Sequence, residues 1–315
     1  MKVWMALLLM ICAGSANAAF PDKPFRIIVP SGAGGPAELC MRAVAEVMRA
    51  DLGQHFVIEN VPGATGNIGL ERVANATPDG YTMIQASAAN TANLASRPKA
   101  AFDILTLKPV GKVCQASFTL AVAPGLNIKT VDELVRHAKA NPGKLSYGSI
   151  GHGSSQHLVA EMFSAAIGVD ILHVPYKGES LVAAEMAAGR IQMMFMAGAK
   201  PFMDGGLIVG IATTNRETWP PIPNLPPIGK TAALPGFSYN GWNGLFAPKG
   251  TPDDRIRRVS QALVKAQSDE KVRALINTFG NQPGAGTPEE LAAQVKTDLV
   301  RFRGIVESRK LVFIE

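Results

Sequence analysis

Long apolar runs are missing from this 315-residue chain once its first residues are passed. Beyond Val3 to Cys12 nothing approaches the roughly 20 consecutive apolar residues that cross a bilayer, so a membrane-spanning mature protein is not expected. Charge is also sparse, at 18% of residues. The net charge of +6 raises nucleic acid as a partner, but the basic residues are dispersed. Their densest group, Arg255, Arg257 and Arg258, reads as the solvated face of a helix, so no nucleic acid is expected. Cysteine is scarce. Cys12 lies in the apolar start, which leaves Cys40 and Cys114, one in a predicted helix and one in a predicted strand. A disulfide and two separate buried thiols both remain open, because spacing cannot supply the geometry a bridge demands.

What is present is the material of a well-cored globular protein, 47% hydrophobic and long enough for two ordinary domains. Lys2, the apolar stretch Val3 to Cys12 and the small-x-small site Ala16-Asn17-Ala18 mark residues 1–18 as a secretory signal. Ile11, which is not small, precedes Cys12, and this disfavours a lipid-attachment site. The expected location is the periplasm.

The organisation repeats. Phe25 to Pro30 reads as a short apolar strand, SGAGG as a loop, and Pro36 as the first turn of a helix that Gly53 stops. QHFVIENV follows as a strand. About 120 residues later KLSYGSI, GHGSS, QHLVAEMFSAAIG and VDILHVPY repeat the design. Each is a strand, glycine loop, helix, strand unit, which implies parallel pairing. Val131 to Ala140 reads as a helix capped near Thr130. Thr251-Pro252-Asp253-Asp254 and Thr287-Pro288-Glu289-Glu290 read as helix starts, each with a cap residue, a proline and an acidic first turn.

A glycine loop entering a helix presents unpaired N–H groups at the positive end of a helix dipole, which suits an anion. Gly32, Gly34 and Ala37 also match the dinucleotide fingerprint, with Glu59 near the place of the ribose-binding acid. Export and the second loop count against that reading. Two facing lobes whose loops converge on one small anion account for both. Three or four hydrogen bonds to a charged group, at about 1.5–3 kcal/mol each, match micromolar binding at about −8 kcal/mol. A hydrolase built on Ser154 is the other alternative, but GHGSS lacks G-x-S-x-G, and a serine at a helix start is more often a cap. His152 and His157 do not share a helical face as a metal pair would, and read as solvated loop and helix-surface histidines.

The stretches PDKPFRIIVPSGAGGPAELCMRAVAEVM, VIENVPGATGNIGLERVANATPDGYTM, YGSIGHGSSQHLVAEMF, GVDILHVPYKG and GLFAPKGTP resemble the periplasmic solute receptors of the tripartite tricarboxylate transporter family, or Bug receptors. The similarity runs in order over nearly the whole mature chain.

The resemblance implies an α/β fold of two Rossmann-like lobes, the periplasmic-binding-protein (Venus-flytrap) architecture with crossing hinge strands. Lobe 1 would hold residues 20–120 and 243–315, and lobe 2 residues 121–242. It implies a non-enzymatic, monomeric receptor without cofactor or metal, which captures a small organic carboxylate for a membrane permease or sensor. Carried onto this chain, the ligand contacts are Ser31, Gly32, Ala33, Gly34, Gly35 and Ala37, then Ser149, Gly151, His152, Gly153, Ser154 and Ser155, with Ser87 and Asn90 at the edge. Trp242 lines the cleft or braces the hinge. Met196 stands where relatives carry an Asp, and Ser31 where they carry an aromatic, so a ligand without an ammonium group and with an apolar part is expected. Lys177, Lys200 and Glu59 read as surface groups.

Overall fold

The computed structural model describes residues 20–63, 66–97, 103–284 and 286–313; the expected signal, residues 1–18, lies outside them. FRIIV forms β1 (Phe25–Val29), buried at four of its five positions as a strand covered on both faces requires. Pro36 opens α1 (Pro36–Leu52) where its missing N–H costs nothing, and Gly53 ends it at φ 68°, its N–H bonded to the Arg49 carbonyl. The chain continues through β2 (Phe56–Asn60), α2 (Asn67–Ala74), β3 (Thr82–Ser87), α3 (Ala88–Ser96) and β4 (Lys108–Ser117).

A second series follows: β5 (Thr119–Val122), α4 (Val131–Ala140), β6 (Ser146–Ser149), α5 (Ser155–Ile167), β7 (Leu172–Pro175), α6 (Glu179–Ala187), β8 (Met193–Met196), α7 (Lys200–Asp204) and β9 (Val209–Thr213). The chain then returns as β10 (Asn240–Ala247), α8 (Asp253–Ser268), α9 (Glu270–Thr278), β11 (Gln282–Pro283) and α10 (Pro288–Ser308).

These strands make two sheets, β11-β4-β10-β3-β1-β2 and β7-β6-β8-β5-β9. The repeated design is present: β1 pairs parallel with β2, and β6 with β7. Only Phe118 separates β4 of one sheet from β5 of the other. The return strand lies beside that crossing. Thr214 donates to the Phe118 carbonyl at 2.9 Å, and its Oγ1 accepts the Phe118 N–H at 3.1 Å. Tyr239 donates to the Thr214 carbonyl at 2.8 Å and stacks on Phe118, with ring centroids 5.5 Å apart. The result is a two-lobed α/β fold joined by crossing strands.

The first sheet packs on α1 and α8 through a cluster that includes Phe25, Met41, Met48, Val113 and Leu263. Another cluster runs from Ile84 through Trp242 and Phe302 to Phe163 and Phe195, and so joins both sheets through α3, α5 and α10. Thr130 and Thr287 cap α4 and α10 with full capping boxes. Thr251 departs from expectation: α8 starts after Pro252 with no side-chain cap, and Thr251 is buried beside it. Cys40 and Cys114 are free, buried and in contact with each other rather than separate. Burial first, then the neighbouring Cys40, pushes the Cys114 thiol up. The sulfurs accept the amides of Asn281 and Asn243 at 3.2 and 3.4 Å respectively.

Candidate functional site

A cavity of about 530 Å³ opens between the sheets. One wall carries Pro36 and Ala37, Ser87 to Ala89, and Trp242; the other carries Ser155, Gln156, Gly178 and Glu179. These are the first turns of α1, α3, α5 and α6, so four helix N-termini, two from each sheet, face one space. Each brings backbone N–H groups without an intrahelical partner and the positive end of a dipole. The α1 and α6 starts follow Gly35 and Gly178 and have no side-chain cap. Those of α3 and α5 are capped by Ser87 and Ser154, which accept from Ala89 and His157. The rest of the lining is mostly small or apolar, including Ala116, Phe118 and Ile150.

The first glycine loop is already committed. Glu38 in the first turn of α1 is buried, accepts the Gly34 N–H and pairs with Arg42. Burial opposes its ionisation, but the Gly34 bond and Arg42 outweigh this and hold its carboxyl below the usual range. A pyrophosphate approaching Gly34 would meet that carboxylate. Glu59, offered as the ribose acid, is ion-paired with Arg72 instead. Ser31 uses its carbonyl to accept the Asn60 amide at 3.0 Å, and Gly32, Ala33 and Gly34 are exposed. None of Ser31 to Gly35 borders the cavity; Ala37 does.

In the second loop, the Ser154 hydroxyl donates to the Gly151 carbonyl at 2.8 Å and accepts the His157 N–H at 3.3 Å, which makes it a helix cap and not an activated nucleophile. Ser149 is fully buried, bonded to Gly151 and 2.6 Å from His173 Nε2. Ser155 lines the cavity, whereas Ser149, Gly151, His152, Gly153 and Ser154 do not border it. Asn90 completes the α3 capping box by accepting the Ser87 N–H at 2.9 Å.

His157 is not the helix-surface residue expected. It is 4% exposed, its Nδ1 accepts the Gly153 N–H at 3.0 Å, and it stacks flat on His173 with centroids 3.9 Å apart. Burial first, then the neighbouring histidines, lowers His157 to about 4 and His173 to about 3, so both are neutral near pH 7. With His152 they bring three ligand nitrogens within 4.8 Å of one another. The His157 and His173 planes are nearly parallel, and the His157 Nδ1 lone pair is already spent on the Gly153 N–H. The stack positions the loop.

Met196 also departs from expectation: it is fully buried in the cluster of Ala121, Val182 and Ile208 and does not border the cavity. The carboxylate on the wall is Glu179, which sequence reasoning passed over. Its oxygens accept the N–H groups of Ala197 and Gly198 at 2.8 and 3.0 Å and the Gln156 amide at 3.1 Å. Its place directly after Gly178, at a helix start, was the signal that could have found it. Lys177 is exposed and borders the cavity, while Lys200 pairs with Asp204 at 2.8 Å. Trp242 borders the cavity, and its indole N–H donates to the buried Asp298 of α10 at 2.8 Å.

Two α/β lobes, crossing strands and a polar-ended cavity between them define a solute-binding protein of the periplasmic type. The chain belongs to the family described as the tripartite tricarboxylate transporter family receptor, whose profile matches residues 40–311. A UPF0065 protein of Bordetella pertussis is 32% identical over 309 residues, covering 95% of this chain and 94% of that protein. A solved structure titled a periplasmic transporter is 34% identical with a TM-score of 0.80, covering 93% of this chain and 99% of its own. An R. palustris protein solved with adipate is 28% identical with a TM-score of 0.81 and the same coverage. Family and fold are those of solute-binding receptors, which are not enzymes.

Proposed function

We propose that this protein captures a small organic carboxylate between its lobes in the periplasm and delivers it, as a monomer, to a membrane permease or sensor. The observation that carries the reading is the convergence of four helix N-termini on one cavity. The relative solved with adipate supports the ligand class. In this reading the lobes divide at the crossing beside Phe118 and on the return between Thr214 and Tyr239. A bound anion bridges α1 and α3 of one lobe to α5 and α6 of the other. Contacts completed only on closure are what favour the closed state. Ser31 to Gly35 and Gly151 to Ser154, which do not border the cavity in this structure, are assigned contacts made only as the lobes close. Because Met196 is in the core, the apolar part of the ligand next to its carboxylate is assigned to Phe118, Ile150, Trp242 and the wall alanines.

Thermal unfolding against mono-, di- and tricarboxylates, amino acids and NAD(H) tests the reading. One carboxylate at 100 times its Kd should stabilise by about 2.7 kcal/mol. Stabilisation by NAD(H) alone would overturn it.

A further inference from the structure

Beside the cleft lies a second cavity of about 580 Å³, which shares Pro36, Glu179, Ala197 and Gly198 with it. Its large side chains are mostly aromatic and aliphatic, namely Leu39 of α1, Phe202 of α7, Trp219 and Ile222 of the returning segment, and Phe279 after α9, with small hydroxyls such as Ser117 and Thr119 between them. Trp219 is 3% exposed, and its indole N–H donates to the Gly280 carbonyl at 3.1 Å. The proline-rich segment therefore reaches from the second lobe to the first and roofs this chamber. The charged side chains on its wall already have partners. Lys200 and Asp204 pair with each other, and Glu179 accepts from Ala197, Gly198 and Gln156. What the chamber offers a ligand is apolar area, continuous with the space that four helix N-termini make attractive to a carboxylate.

We propose that this chamber receives the apolar tail of a ligand whose carboxylate is held at the helix N-termini. The class recognised is then a carboxylic acid with an elongated alkyl or aryl body, in preference to a compact di- or tricarboxylate. This rests on the carboxylate-receptor reading above and narrows it. The physical expectation is quantitative: each methylene moved from water into an apolar site tightens binding about fourfold.

Calorimetric titration of the protein with straight-chain monocarboxylates from butanoate to decanoate, with phenylalkanoates, and with succinate and citrate tests it. Affinity should rise about fourfold per methylene until the chamber is full. Two plugs at exposed wall positions, Ser180→Trp and Thr278→Trp, should each cancel the gain for long chains and leave butanoate unchanged. Their urea midpoints serve as the check on folding, and two positions guard against one that misfolds. Binding of succinate or citrate without any chain-length trend overturns the chamber and leaves the receptor reading standing. Plugs that weaken short and long acids equally also overturn the chamber. No binding by any acid overturns both.

Discussion

Acidification should loosen this protein well before its carboxylates titrate, and the His157–His173 stack sets the size of the effect. An unfolded histidine titrates near 6.5, while burial and the neighbouring imidazoles lower His157 to about 4 and His173 to about 3. Each folded value lies below the unfolded one, so the unfolded chain takes the proton first. Stability is whole above about pH 6.5 and falls as the pH drops, until the folded groups themselves protonate near 4 and 3. The slope is at most about 1.4 kcal/mol per pH unit for each group. Two groups over the two units from pH 6.5 to 4.5 therefore remove up to about 5 kcal/mol, which is comparable with the whole stability of a small domain. Glu38 and Asp51, whose carboxyls are held low, lose their contributions mainly below this window. Burial raises the Asp298 carboxyl and so acts in the opposite direction, but it is one group against two. Urea midpoints measured at intervals from pH 7.5 to 4.5, for the protein and for a His157→Gln, His173→Gln variant, would read the slope directly. The variant should be less stable at pH 7.5 but nearly flat to pH 5. Parallel loss of stability in both would refute the buried, neutral stack.

Two substitutions probe the walls of the cleft. Gly153→Ala places a methyl group 2.8 Å from Ser96 Oγ at a residue with φ of +72°, so urea unfolding should show a loss of about 1–3 kcal/mol. The same variant should weaken ligand binding, since the loop it displaces leads into α5. Trp242→Phe removes the donor to Asp298 Oδ2 and leaves the buried carboxyl with only the Gln294 amide on its other oxygen, which should cost about 1–3 kcal/mol in the same assay. Asp298→Asn added to it should restore part of that loss, and full stability in the single variant would contradict the bracing role.

The local design was legible before any coordinates. Pro36, Gly53, Thr130 and Thr287 act through their own backbones or the next turn, so their meaning survives without tertiary context. The repeated strand, loop and helix units were legible for the same reason. Thr251 shows the limit: its neighbours decided that it would be buried and that Pro252 would occupy the cap position. Met196 and His157 show it again. Each sat in a motif that suggested an exposed role, and packing put each into the interior.

The order of elements and their helix-start chemistry are properties of neighbours along the chain, and the sequence by itself determined them. It also determined that two loops of like design would exist. Only the tertiary structure decided which side chains face the cleft. That choice depends on the crossing at Phe118 and the return from Thr214 to Tyr239, contacts between residues far apart in the chain. The same folding brought the first turns of α3 and α6 to the two known loops, placed Glu179 on the wall in place of Met196, and roofed a second chamber with Trp219. Sequence spacing encodes the facing of a residue within one helix or strand, whereas a cleft is the meeting of several.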